Sequence, residues 1–572
     1  MSPRRLTKGL FALAFATAAA WTPNALANPD TDVTRATLPN GMRVIVVRDP
    51  LAPVVTTELN YMVGSNEVPA GFPGTAHAEE HMMFRGSTGL SADQLANISA
   101  SMGGDNDADT MQNVTQYYFT VPSENLDLAL HIEALRMKGA LNTQALWNEE
   151  RGAIEQEVSQ DLSNPSYVFY SQLLAKMFAG TPYAHDALGT RPSFEKTTGA
   201  MLKNFHDRWY VPNNAVLVIA GNVDPQQTIG KVRELFGGIA AKPLPARPSV
   251  VLQPVKPETM HLTSDLPYGL TFVAFRMPGY DSPDYAATRV LGEVLDSDRG
   301  DLTQLQVTGK ALGAGFSSST FPETGLGFAA IAYPSQGDAA PMLQLLRDTL
   351  TKRIQAGMPA DLVEAAKRRA LASVEYQKNS VEGLAMAWSQ AVAVEGRQSP
   401  ADDAQAIQKV TVADVDRVAR QYLNFDQAIV ANLAPRPSGK PVASHGFGGS
   451  ESFAPSKTKA VALPDWAQAE LNKLEVPPSA VHPTETTLPN GLKLIVQPES
   501  VSDTVNVYGR IKTESDLESA PGKDGVQGVL NSLFDYGTTS MDRDTFQKAL
   551  DDIAAEESAG SSFSLHVLAS QF

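Results

Sequence analysis

One stretch of this chain occurs twice. Thr37-Leu38-Pro39-Asn40-Gly41-Met42-Arg43-Val44-Ile45-Val46 returns as Thr487-Leu488-Pro489-Asn490-Gly491-Leu492-Lys493-Leu494-Ile495-Val496, and Gly525 to Thr539 parallels Gly74 to Thr88. A repeat on this scale means that one structural unit is built more than once, so the fold is modular. In each copy a Pro-Asn-Gly turn leads into a β-branched run, the pattern of a strand entered from a hairpin. With 572 residues, 43% of them hydrophobic, the chain can bury several cores.

The two copies differ where chemistry would sit. The first holds His77-Ala78-Glu79-Glu80-His81; the facing positions of the second hold residues such as Gln527, Gly528, Leu530, Asn531 and Ser532. On a helix, His77 and His81 lie about 40° apart, one turn from each other, with Glu80 on the same side. Two imidazoles so placed can share a metal ion. A catalytic zinc takes three protein ligands and leaves a position for water, whose proton a neighbouring carboxylate can remove. Glu80 suits that task, and the order H-x-x-E-H is the inverted zincin signature. A surface helix carrying two satisfied histidines would read the same way, so a third ligand is needed. The chain has no cysteine, so that ligand must be a histidine or a carboxylate.

Further along, Val54 to Met62 and Thr115 to Val121 read as strands, Ser91 caps a helix through Met102, and Gly103-Gly104 ends it. Leu126 to Leu141 and Thr143 to Leu162 show helical spacing. In the latter, Glu150 and Glu157 are seven apart and fall within about 20° of each other, whereas Glu155 points elsewhere. One of this pair can complete a His, His, Glu set and the other can hydrogen-bond the ligands. A charged solvent face is the plainer alternative.

At the N-terminus, Arg4, Arg5 and Lys8 precede an apolar run from Gly9 to Trp21 and then Ala25-Leu26-Ala27, the pattern of a secretory signal peptide cleaved after Ala27. The expected mature protein is exported and periplasmic, and no stretch is long enough to span a membrane. The net charge of -17 argues against nucleic acid and anionic lipid as partners.

Taken together, H-x-x-E-H followed about 75 residues on by E-R-x-x-I-x-x-E, with Pro182-Tyr183, Gly189 and Trp209-Tyr210-Val211-Pro212-Asn213-Asn214, resembles the insulinase and pitrilysin family (M16) of zinc peptidases, which includes the mitochondrial processing peptidases. The resemblance implies that His77, His81 and Glu157 bind Zn2+, that Glu80 activates water and that Glu150 is an auxiliary acid. It implies an α+β fold of repeated two-layer domains, each a mixed, mainly antiparallel sheet packed with helices. One departure concerns the G-x-x-N-A-x-T pattern, whose Asn holds substrate: here Asp107 stands in that place beside Asn106. Either Asn106 substitutes through a local shift, or substrate preference differs.

The expected organisation is a signal peptide over 1–27, an active zinc peptidase domain over 28–245, a metal-free second domain over 257–435, a hinge over 436–483 and an incomplete first domain of an inactive half over 484–572. The function implied is that of a zinc metalloendopeptidase acting on peptides or unfolded segments. The alternative is a non-catalytic or partner-dependent subunit of a two-component peptidase. The chain reads as a fragment of a longer one, whose remaining half, in single-chain members, supplies an Arg and Tyr pair to the substrate carbonyl.

Overall fold

The computed structural model describes residues 33–50, 52–435, 461–473, 482–498, 502–511, 521–523, 525–558 and 562–571. The expected signal peptide over 1–27 and most of the expected hinge over 436–483 lie outside them. Of the hinge, a helix at Asp465–Leu471 is described; it packs Ala467 into the first core and stacks Trp466 on His131.

The first sheet has six strands in the order Val33–Thr37, Arg43–Arg48, Ala215–Gly221, Val54–Tyr61, Thr115–Pro122 and Asp105–Thr110. Ala215–Gly221 is buried at every position, which is why its sequence is continuously apolar rather than alternating. It runs parallel to Arg43–Arg48 and antiparallel to Val54–Tyr61. The Asp105–Thr110 strand is not expected from its sequence, because Asp and Asn disfavour strands. It forms by pairing with the strongly β-forming Thr115–Pro122 segment, and its polar side chains suit an edge.

One face of this sheet, including Val44, Val46, Leu59, Tyr117, Phe119 and Leu217, packs on helices Ala92–Met102, Leu126–Lys138 and Pro225–Phe236. The opposite face, with Ile45, Val47, Val216 and Val218, takes Leu384, Ala385 and Trp388 of helix Val381–Ser389. That helix belongs to a second unit.

The second unit has five strands, ordered Gly313–Thr320, Thr324–Pro334, Tyr268–Pro278, Ile429–Pro435 and Glu258–Ser264. This order and the strand directions reproduce those of the first sheet from its Asp105–Thr110 edge inward. Its open face, with Phe272, Ala274, Leu326 and Ala431, receives Phe169, Leu173, Leu174 and Met177 from helix Pro165–Met177 of the first unit. Each unit thus covers the other's sheet with a helix of its own. Leu173 and Leu174 are fully buried, and truncating either to alanine costs about 2–5 kcal/mol.

The repeat seen in the sequence is a repeat of structure. Thr487 pairs with Lys493 as Thr37 pairs with Arg43, and Leu488 N donates to Leu492 O as Leu38 N donates to Met42 O. Strands Thr504–Arg510, Ser562–Leu568 and Glu556–Ser558 keep the order of Val54–Tyr61, Thr115–Pro122 and Asp105–Thr110. This third unit docks on the second through Asp551, which accepts from Arg299 and Arg369 at 2.6 and 2.8 Å.

Between the first sheet and helix Val381–Ser389 lies a polar knot. Gln116 Nε2 donates to Asn60 Oδ1 at 2.6 Å and to Ser389 Oγ at 3.0 Å, and Ser389 Oγ donates to Asn60 Oδ1 at 2.6 Å. Buried beside it, the Glu58 carboxyl is pushed up to about 7 by desolvation; the Ser389 hydroxyl opposes this, and Glu382 and Asp109 add to it. The folded chain therefore binds this proton more tightly than the unfolded chain, whose value is near 4.5. Stability from this group is complete below that value and is lost as pH rises through about 7, a change on the order of 3 kcal/mol. Glu58→Gln is expected to raise the thermal midpoint at pH 8 by roughly 5 °C and leave it unchanged at pH 4, as followed by calorimetry at the two pH values.

Candidate metal centre

The motif lies on helix Thr75–Met82, buried along its whole length. Gly74 caps its N-terminus with φ 86°, a left-handed conformation that favours glycine. Gly189 meets it back to back: a Cβ on Gly74 would fall 2.7 Å from Gly189 Cα, and one on Gly189 would fall 2.5 Å from Gly74 Cα. This approach brings the neighbouring Leu188 carbonyl to His77, whose Nδ1 it meets at 3.1 Å.

A carbonyl can only accept, so the His77 proton is on Nδ1 and the lone pair on Nε2. His81 has the same arrangement, since its Nδ1 faces Glu150 Oε1 at 2.8 Å. The two Nε2 atoms then converge to 3.2 Å, and Glu157 Oε2 lies 3.5 Å from each. Two lone pairs and a carboxylate oxygen facing one another call for a cation between them. Ligand atoms about 2.1 Å from a tetrahedral zinc stand about 3.4 Å apart, so the three donors fit that ion. Among the described residues they form the one cluster of this kind.

Both glutamates come from helix Gln144–Leu162, which starts at Thr143, whose hydroxyl accepts from Leu146 N. Glu150 is buried and Glu157 partly exposed. Burial raises the Glu150 carboxyl, but the hydrogen bonds from His81 and Arg85 outweigh it and hold the group below its ordinary value. Glu155 turns away to Arg191. Of the adjacent motif acids, Glu80 accepts a hydrogen bond from the Thr110 hydroxyl, whereas Glu79 is fully buried against Asn142, and desolvation pushes its carboxyl well up.

Thr110 lies on the edge strand that also carries Asn106 and Asp107. The strand keeps unbroken register from Asp105 opposite Thr120 to Thr110 opposite Thr115. No bulge shifts Asn106 into the place of Asp107, so of the two alternatives the local shift does not occur. Alternation instead puts Asn106 on the face of Ala108 and Thr110, and Asp107 on the other face. Sequence reasoning assigned no role to Arg85, Thr110, Leu188 or Asp186, the last held by Tyr167 within electrostatic reach of His77. The spacing of four from His81 to Arg85 was the one signal available for any of them.

Residues 43–191 match the family described as insulinase, peptidase family M16, and residues 196–370 match the M16 inactive domain. A Mycobacterium leprae protein described as an uncharacterized zinc protease is 31% identical over 208 residues, 36% of this chain and 46% of that protein, so the match spans about half of that relative's length. The probable mitochondrial-processing peptidase subunit beta of Arabidopsis thaliana is 25% identical over 425 residues, 72% of this chain and 79% of that protein. In fold, the chain is similar to a protease from Helicobacter pylori, with a TM-score of 0.65 and 21% identity over 70% of this chain and 99% of that one. It is also similar to the periplasmic protease PqqL from Escherichia coli, with a TM-score of 0.60 and 17% identity over 95% of this chain and 65% of that one.

The glycine contact makes a structural prediction. Gly189→Ala should cost about 2–4 kcal/mol, since it adds both a left-handed alanine and a backbone clash. Gly71→Ala, at φ 82° with nothing within 4 Å, should cost about 1–2 kcal/mol. Urea denaturation of the two variants checks the order.

Proposed function

Given that the chain belongs to the insulinase family, peptidase family M16, we propose that it is a zinc-dependent endopeptidase acting on peptides or unfolded protein segments. The observation that carries this reading is the convergence of two imidazole lone pairs and Glu157 beside Glu80. Zinc held by His77, His81 and Glu157 would polarise the scissile carbonyl and acidify the attacking water.

Glu80 accepts the proton of that water and returns it to the leaving amine, a role that requires a carboxylate held in place. The Thr110 hydroxyl holds one of its oxygens. Glu150 fixes the tautomer of His81 through Nδ1, as the Leu188 carbonyl does for His77. Substrate is bound in extended form along the Asp105–Thr110 edge, whose outer side pairs with no strand among the described residues. Export to the periplasm is part of the proposal, supported by the basic and apolar N-terminal segment.

A second reading, activity that depends on a partner subunit, is favoured by the match to a relative named as a subunit. Mixing with a homologue that lacks the motif would raise turnover under this reading and leave it unchanged under the first. The general test is a peptide-library digest with and without chelator, read by mass spectrometry; chelator-insensitive cleavage would sink the zinc proposal.

Glu80→Gln should keep zinc and lose at least about 100-fold in turnover. Glu157→Gln should release zinc on dialysis, whereas Glu150→Gln should weaken its binding by about 10- to 100-fold. Metal analysis after dialysis, alongside turnover of a quenched peptide, separates the three.

A further inference from the structure

We infer that Arg85 is a positioning residue for the metal centre: its guanidinium closes an ion pair with buried Glu150 that holds the His81 ring in the orientation and tautomer a ligand needs. The inference rests on the proposed reading of His81 as a ligand.

His77, His81 and Arg85 follow one another at a spacing of four. Helix Thr75–Met82 ends before Arg85, but Phe84 N donates to His81 O at 3.1 Å and Arg85 N to Met82 O at 3.0 Å. The chain therefore keeps turning, and Arg85 comes round to the side of His81. There, Glu150 takes His81 Nδ1 on one oxygen and Arg85 Nη2 on the other.

The exposures decide what this second contact does. The Glu150 side chain is 3% exposed, so bulk water cannot satisfy its second oxygen, while that of Arg85 is 28% exposed and keeps part of its hydration. A buried carboxylate left with one neutral donor is costly. Without Arg85, the relief open to Glu150 is to rotate toward solvent, and that rotation removes the acceptor from His81 Nδ1. The His81 ring can then swing, or carry its proton on Nε2, and either change withdraws the lone pair that faces His77 and Glu157. Arg85 thus acts on the metal centre through two intervening side chains, Glu150 and His81.

The test measures zinc affinity of the full chain by competition with a chromophoric chelator, with the His81 tautomer read from 15N-histidine NMR of the metal-free protein. Wild type should bind one zinc and His77→Ala should not; absence of zinc binding by wild type would overturn the metal reading itself. Arg85→Met should weaken zinc by about 10-fold and shift His81 from the Nδ1-protonated form. Arg85→Lys should recover part of the loss, because an ammonium supplies the charge without the planar fork. In a Glu150→Gln background, Arg85→Met should have almost no further effect, since its route to His81 is already cut. Unchanged zinc affinity in Arg85→Met, or a full 10-fold loss persisting in the Glu150→Gln background, would overturn the assignment. Should Arg85→Met fail to fold, Arg85→Lys still decides the matter, since wild-type affinity together with an unshifted tautomer there and in Arg85→Gln would remove Arg85 from the site.

Discussion

His81 has two ring nitrogens, and each faces a different glutamate of the same helix. Nδ1 is fixed by Glu150, which leaves the Nε2 lone pair facing His77 Nε2 and Glu157. A ring divided in this way can neither flip nor change tautomer without losing a partner. The lateral and rotational register of Thr75–Met82 against Gln144–Leu162 is therefore the constraint on which the site depends. A slip of one residue along either helix would turn the donors by about 100° and dissolve the set.

That register is held from outside the site. Trp147, on the glutamate helix, is fully buried with Ala78, Met82 and Phe194, and its indole N–H donates to Thr197 O at 2.8 Å. At the other end, the Gly74–Gly189 contact sets how closely the Leu188 carbonyl approaches His77. The helix that follows the glutamates, Pro165–Met177, is anchored in the second unit's sheet, so the packing of one unit steadies the candidate metal centre of the other. Rotamer freedom lost by the ligands is thus offset by apolar burial at some distance from them.

His77 and His81 could be read from the sequence because helical periodicity converts spacing directly into a shared face; the same periodicity paired Glu150 with Glu157, and the family resemblance singled out Glu157. Three classes of feature could not be read so. Leu188 contributes a backbone carbonyl, which any residue carries, and only the Gly74–Gly189 approach explains why this one is placed on His77. The Asp105–Thr110 strand contradicts the propensity of its residues, and its partner strand decides its conformation. The exchange of covering helices between the units was hidden as well: the apolar face of Pro165–Met177 announces burial, but not against which sheet. The repeat at Thr487 to Val496 was legible as a second hairpin, because turn chemistry is local and travels with the sequence, and its pairing register matches that of the first copy.

The copies show how lightly the chemistry rests on the fold. Gly525 enters helix Val526–Leu533 at φ 85°, as Gly74 enters Thr75–Met82 at 86°. Strand order is retained around both helices and again around Tyr285–Leu295 in the second unit. Val526–Leu533 and Tyr285–Leu295 carry no histidine, so neither can present the paired imidazoles of the first. The features that recur are turns, strand pairing and buried apolar positions, which any copy needs in order to fold. A metal site adds buried acids and converging lone pairs, which cost stability unless each is partnered. Glu150 between His81 and Arg85, and Glu79 against Asn142, are such partnerships, and they belong to the copy that has something to hold.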